Sequence, residues 1–262
     1  MRSNHSVKPK KFFGQHFLQD ENIAQKIVEN IRYTEPANLL EIGPGMGVLT
    51  KYLIENQSIN LQLIEIDKES VAYLCNNFPA LSTKIIQGDF LKLDLNSLFE
   101  SQHSFSIVGN FPYNISSQIL FKVLEYKDRI PYITGMFQKE VAERIASKPG
   151  SKAYGIISVL LQAWYSIELL FSVDEYSFHP PPKVKSAVIR LSRNSRNNLE
   201  CGHENFIRIV KTAFNQRRKT MRNSLKSLLH EKIAQDEIFS LRPEQLSVEE
   251  FVEITKKIYQ IQ

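Results

Sequence analysis

The segment Gly109–Asn114, "GNFPYN", places a side-chain amide, a proline and two aromatics within six residues. It follows the apolar run "SFSIV" and precedes the helix-like run "ISSQILFKVLEY". A plain turn needs one or two of these residue types, not all of them. Together they suit a planar amine whose lone pair is delocalised into an aromatic ring. The side-chain oxygen of Asn110 can accept one amine proton and the backbone carbonyl of Pro112 the other. The nitrogen then tends toward pyramidal geometry, with its lone pair free to face an electrophile. Proline holds φ near about −65° and so helps fix its own carbonyl. Tyr113 offers a flat face for a base, a contact worth roughly 1–3 kcal/mol.

Three further strand ends carry residues of matching chemistry. "LLEIGPGMGVLT" brings Gly43, Gly45 and Gly47 to the exit of a strand. Such glycines allow a tight turn and a close approach of backbone to ligand. The spacing is GxGxG, and Val48 stands where the dinucleotide fingerprint needs its third small residue, which disfavours a NAD site. Glu41 ends the buried strand before the turn, where a charge is costly unless it accepts hydrogen bonds from the turn or from a ligand amine. The next strand ends in "IEID". Glu65 lies 22 residues beyond Gly43, about where an acid reaches a ribose diol. The third ends in "GD", so Asp89 can accept from the exocyclic amine of an adenine. In open α/β sheets, ligands bind at the carboxyl ends of the strands.

The elements that must position these residues follow from periodicity. "NLLEIG", "LQLIEID", "TKIIQGD", "SFSIVGN" and "YITGMFQ" read as strands separated by helical patterns. "NIAQKIVENI" sets Ile23, Ile27, Val28 and Ile31 on one helical face. Strand–helix alternation predicts a parallel sheet with helices on both faces. "SIELLFSV" and "KSAVIRLS" have no helix between them and are expected to form an antiparallel hairpin at one edge, completing seven strands. Beyond the polar stretch "SRNSRNNLECGHE" only helical patterning remains. The expected organisation is an α/β domain over residues 1–195 and a small all-α domain over 196–262.

Composition limits the function classes. The chain has 262 residues, 42% hydrophobic and 23% charged, with a net charge of +5, ordinary for a globular protein. No run approaches the roughly 18 apolar residues of a membrane span. The N-terminal "MRSNHSVKPKKFFGQ" has no apolar core after its basic residues and is not a secretory signal. Cys75 and Cys201 are isolated, so neither a disulfide framework nor a structural zinc site is expected. The reading is a cytoplasmic protein with no metal. Between Arg190 and Lys226 there are ten Lys/Arg against two Glu, a local excess that suits a polyanion.

The ordered strand-end residues resemble those of class I S-adenosylmethionine-dependent methyltransferases. The resemblance implies a Rossmann-like domain with the glycine turn near the methionine moiety, Glu65 near the ribose and Asp89 near the adenine. In such a reaction no strong base is required, because the sulfonium is already a potent electrophile and the amine becomes acidic once alkylated. Rate should come from orientation and preset dipoles. The Asn-x-Pro-Tyr run resembles amino-methyltransferases acting on nucleic acid bases. "KKFFGQHFLQD" (residues 10–20) and "FHPPPKVKSAVIRL" (residues 178–191) narrow the likeness to ribosomal RNA adenine N6-dimethyltransferases. That family implies Phe178 as a second aromatic bracketing the flipped base, and a segment around His16 and Leu18 closing over the cofactor. His16 stands where Asn is frequent, and Phe111 where Leu is frequent.

"AFNQRRKTMRNSL" (residues 213–225) resembles the C-terminal domain of the branch that modifies two adjacent adenines near the 3′ end of small-subunit RNA. The resemblance implies small-subunit rRNA in a pre-30S particle as partner, a monomeric enzyme, and S-adenosylhomocysteine as product. Read as a helix, this stretch puts Arg218, Arg222 and Lys226 on one face, flanked by Arg217 and Lys219, a stripe suited to phosphates. The run Lys8, Lys10 and Lys11 would extend the electrostatic reach. Two alternatives stay open: a large-subunit methyltransferase conferring antibiotic resistance, and a ribosome-assembly factor whose methylation is secondary.

Overall fold

A computed structural model describes residues 7–100 and 103–259. The chain's first and last residues, which the two expected domains include, lie outside this range. The described residues form two compact units, one within 1–142 and 168–193 and the other within 143–167 and 194–262.

The first unit is built on a seven-stranded sheet. Its strands in chain order are β2 (Asn38–Ile42), β3 (Asn60–Glu65), β4 (Ile85–Gln87), β5 (Ser106–Asn110), β6 (Tyr132–Gln138), β7 (Tyr165–Val173) and β9 (Ser186–Arg193). A separate pair, β1 (Phe17–Leu18) and β8 (Phe178–His179), runs antiparallel. The sheet order is β4-β3-β2-β5-β6-β9-β7. β2, β3, β4, β5 and β6 pair in parallel. The order reverses between β2 and β5, which lie side by side with Leu39 opposite Ser106 and Glu41 opposite Val108. That switch point is where an open α/β sheet leaves a crevice for ligand. All five residues of β2 are buried, as a strand covered on both faces requires.

The two strands expected to form a hairpin at one edge are neighbours there. β9 inserts between β6 and β7 and pairs antiparallel with β6 from Tyr132 opposite Ser192 to Gln138 opposite Ser186. Of β7 and β9, only β7 is therefore an edge, with β4 at the opposite edge of the sheet. Helices α1 (Glu21–Glu29), α2 (Thr50–Leu53), α3 (Lys68–Asn77) and α4 (Ser116–Glu125) complete this unit. Asp20 caps α1 by accepting from Asn22 and Ile23 backbone N–H groups, and Asp67 caps α3 through Glu69, as short acids at helix entry do. Ala24 and Ile27 of α1 are fully buried, with Ile23 and Val28 packed beside them.

α5 (Lys139–Ala146) ends in the second unit, which also holds α6 (Ile156–Gln162), α7 (His203–Asn215), α8 (Met221–Ser224) and α9 (Val248–Tyr259). α6 is apolar almost all round, with five of its residues buried, and it packs against α7 and α9. This grouping differs from a single cut near residue 195, because an all-round apolar helix goes where helices can surround it.

The basic stretch differs from expectation too. α7 stops at Asn215, Thr220 is extended at φ −66°, ψ 159°, and α8 is only four residues long. The Met221 N–H donates to the Leu241 carbonyl at 2.7 Å, where a continuous helix would need it for Arg217. Arg218 and Arg222 therefore lie on opposite sides of a helix break, so helical spacing does not set them on one face.

Candidate active site

A cavity of about 330 Å³ opens at the switch point, within the size range of small-molecule sites. Its walls include His16, Gly43, Gly45, Glu65, Asp89, Asn110, Pro112 and Tyr113, all of them singled out from the sequence. Gly43 follows β2, Glu65 ends β3, Asp89 follows β4 and Asn110 ends β5. Four parallel strands thus deliver four kinds of polar group to one volume.

The turn after β2 is made by Gly43, Gly45 and Gly47, with φ of +66°, +56° and +80°. These are left-handed conformations that favour glycine. A Cβ on Gly43 or Gly88 would meet nothing within 4 Å, so both faces look into open cavity and a side chain there would fill ligand space. A Cβ on Gly45 would lie 2.8 Å from the Phe17 ring. β1 thus closes on the turn through contact with a bare backbone.

Glu65 is 4% exposed. One carboxylate oxygen accepts the Gly45 N–H at 3.1 Å and the other the Asp67 N–H at 2.9 Å. Burial pushes its carboxyl upward, and the two backbone donors oppose that. Each oxygen keeps a second lone pair, so the group can still accept from a diol. Asp89 accepts from the Leu91 N–H at 2.9 Å and stands beside the apolar walls Ile64, Ile66 and Phe90. A slot with apolar faces and an acid at its edge fits a purine. The donor set and the glycine cradle thus fit an adenosine-bearing cofactor. Among the described residues no cluster of metal-ligating side chains was found.

Asn110 has a defined orientation. Its Nδ2 donates to the His16 carbonyl at 2.9 Å, so the amide oxygen points the other way. The Pro112 carbonyl accepts from the Ile115 N–H at 3.2 Å and retains its second lone pair. Tyr113 is clamped by a 2.5 Å hydrogen bond between its hydroxyl and Ser186 Oγ, and burial pushes the phenol upward. His16 packs against Tyr113, with ring centroids 5.5 Å apart and planes 26° from parallel. Its Nδ1 lies 2.7 Å from the Pro180 carbonyl. A carbonyl only accepts, so Nδ1 carries a proton and Nε2 is left as the free ring position.

Two predicted residues lie outside this cavity wall. Leu18 is 4% exposed and Phe178 is 3% exposed. They oppose each other across the β1–β8 pair and belong to one hydrophobic cluster. β8 turns Phe178 inward and His179 outward, so the Phe178 ring packs in the core beside this cavity's wall and not on it. Leu18 instead lines a second cavity that shares Gly43, Gly45 and Asn110 with the first.

Further residues support the site through contacts that join separate segments. Lys10 Nζ bonds Asp67 at 2.5 Å and Glu69 at 3.1 Å, and Gln15 Nε2 reaches Asp67 at 3.3 Å. These contacts strap residues 10–16 across the cavity. Ser186, 0% exposed, holds Tyr113. Glu41 is 1% exposed and accepts from Thr50 Oγ1 at 2.7 Å. This meets the need for a partner with a residue of the following helix.

Burial raises the Glu41 carboxyl from 4.5 to about 8. Between those values the native state holds a proton that the unfolded chain has lost. Stability therefore falls as pH rises through that window, by up to about 1.4 kcal/mol per pH unit. Glu41→Gln should flatten this dependence, so that its melting temperature drops less than that of the parent between the two pH values. Parallel curves for the two proteins would mean that Glu41 is ionised in the fold.

In the second unit, Arg218 and Lys219 are exposed. Arg217 donates to the Lys152 carbonyl at 2.6 Å and lies near Glu244. Arg222 is half-buried and donates to the Ala234 carbonyl at 2.6 Å, so it braces the unit's own backbone.

Comparison with known proteins agrees with this geometry. A ribosomal RNA small subunit methyltransferase A of Phocaeicola vulgatus is 57% identical over 96% of this chain and 90% of its own length. One of Flavobacterium johnsoniae is 58% identical over 96% of each. Among solved structures, a dimethyladenosine transferase from Plasmodium falciparum shares the fold at TM-score 0.77 and 22% identity, covering 92% of this chain and 98% of the other. The 23S rRNA methyltransferase ErmE matches at TM-score 0.68 and 25% identity, covering 90% and 98%. The family model for ribosomal RNA adenine dimethylase matches residues 6–260, and the chain belongs to that family.

Proposed function

We propose that this protein transfers methyl groups from S-adenosylmethionine to N6 of two adjacent adenines in the 3′-terminal hairpin loop of 16S rRNA. It acts as a monomer on a pre-30S particle in the cytoplasm. The observation that carries the reading is the orientation of Asn110. Its amide nitrogen is tied to the His16 carbonyl, so its oxygen is the group left to accept, on a residue that lines one cavity with Gly43, Gly45 and Pro112. The greater similarity to small-subunit than to large-subunit methyltransferases supports the choice of RNA.

Gly43, Gly45, Glu65 and Asp89 would hold the cofactor, with His16 and Leu18 closing over it. When bound, that group supplies a methyl on a cationic sulfur, open to in-line attack. Asn110 Oδ1 and the Pro112 carbonyl accept the two N6 protons and turn the nitrogen lone pair toward the cavity. Tyr113, held by Ser186, supports the base by stacking. The apolar walls exclude water, which strengthens these dipoles. Each transfer forms an N–C bond, breaks an S–C bond and releases one N6 proton to solvent. N6 has two protons, so two transfers per adenine balance. Arg217, Arg218, Lys219 and Arg222 are the proposed RNA contacts of the second unit. The exposed Arg218 and Lys219 are best placed to meet phosphates directly.

Tritiated methyl transfer onto undermodified small and large subunits, with mass analysis of the modified nucleoside, tests the reading. Dimethyladenosine on small subunits alone is expected. Label on large subunits alone would move the protein to the other branch.

A further inference from the structure

Phe12 is 87% exposed, yet it lines the active-site cavity. It therefore stands at the mouth, with one face toward solvent. An aromatic ring so exposed gains little for the fold, but the turn that carries it is anchored. It sits in a one-turn helix, Lys11–Phe13, closed by Gly14 in a left-handed conformation at φ +63°. Phe13 meets it edge-on at 5.3 Å. Next to it, Lys10 is anchored on Asp67 and Glu69. A Cβ on Gly14 would come within 2.8 Å of the Asn114 side chain, so the far end of the turn rests on the segment that follows Tyr113. Of the three lysines in this stretch, Lys10 is committed to the strap, while Lys8 and Lys11 are exposed.

We propose that Phe12 is a stacking platform for an unpaired RNA base next to the adenine in the cavity, with Lys8 and Lys11 meeting the flanking phosphates. The inference rests on the reading that the cavity takes an extruded RNA adenine. Extrusion leaves neighbouring loop bases unstacked. An exposed ring on an anchored turn, in a segment with two exposed lysines, matches a base and its phosphates in both shape and charge. The platform lies on the strap that also covers the cofactor slot, so a base stacked there would hold the strap down.

The test measures binding of the full-length protein to an RNA hairpin with two adjacent loop adenines. Affinity for S-adenosylhomocysteine is measured in parallel. Phe12→Ala should weaken hairpin binding about 5- to 150-fold and leave S-adenosylhomocysteine affinity unchanged, while Phe12→Trp restores the hairpin. Lys11→Ala should reduce the salt dependence of hairpin binding by about one counterion. Unchanged hairpin affinity in Phe12→Ala overturns the proposal. So does a loss confined to S-adenosylhomocysteine, which would make the ring a cofactor cover. Unaltered melting of Phe12→Ala, expected for so exposed a ring, excludes unfolding as the cause. If the parent protein itself neither binds nor methylates the hairpin, the functional reading fails first, and that result is distinct from both others.

Discussion

Asn110→Ala is expected to lower the rate of methyl transfer by about 10²–10³-fold, the scale of losing one preset dipole at a reacting centre. The substitution removes the acceptor that orients N6, together with the donor that fixes the His16 carbonyl at 2.9 Å. Little strain should follow, because Asn110 is only half-buried at the end of β5. The loss should fall mainly on the turnover rate, with RNA affinity nearly unchanged, since orientation matters most in the transition state. Asn110→Asp separates the two roles. It keeps an accepting oxygen but sets a carboxylate against the His16 carbonyl, so the His16 segment should loosen and S-adenosylhomocysteine affinity should fall. Single-turnover kinetics beside equilibrium binding of hairpin and S-adenosylhomocysteine would resolve these outcomes. Full turnover in Asn110→Ala would remove the amide from the mechanism.

Gly135→Ala should be nearly as damaging, although residue 135 lies off the cavity wall. Phe111 lies between Asn110 and Pro112, is 1% exposed, and occupies space that two glycines leave open. A Cβ on Gly135 would fall 2.1 Å from the Phe111 ring, and one on Gly109 2.8 Å from it. Retreat is blocked by Phe137, whose ring centroid is 5.0 Å away. The added methyl must displace the ring or the strand, at about 1–3 kcal/mol. Displacing the ring shifts Asn110 and the Pro112 carbonyl, and an error near 1 Å costs about 10²-fold in rate. The partner variant Phe111→Leu removes the clashing edge. Phe111→Leu/Gly135→Ala should therefore be more active and more stable than Gly135→Ala alone, a coupling that a double-mutant cycle reads directly. Strict additivity would mean that the two residues do not share this space.

The strand-end chemistry could be read from the sequence because a parallel sheet makes it local. Each β–turn segment carries its own functional residue beside the apolar run that places it, and the sheet alone brings Gly43, Glu65, Asp89 and Asn110 together. What escaped depends on contacts between distant segments. Lys10 and Asp67 are 57 residues apart, and nothing near either one points to the other. β1 and β8 have two residues each, too few for any alternation to show. Hence the burial of Phe178 against Leu18 could not be foreseen, and the family resemblance pointed to a ring facing a base. The break at Thr220 was hidden for a related reason. Spacing alone puts Arg218 and Arg222 on one helical face, but the Leu241 carbonyl takes the Met221 N–H and ends the helix register. The apolar residues of α6 were visible in the sequence, but the compact unit they would join was not.

The central claim is that the Asn110 oxygen and the Pro112 carbonyl hold an adenine N6 beside a sulfonium donor seated on the glycine turn. A crystal structure with S-adenosylhomocysteine and a hairpin carrying the target adenine tests it most directly. The account predicts the product sulfur near the turn of residues 43–47, the ribose hydroxyls on Glu65, and the extruded N6 within hydrogen-bond distance of both Asn110 Oδ1 and the Pro112 carbonyl. A cofactor bound away from that turn, or an adenine whose N6 faces neither oxygen, would contradict it.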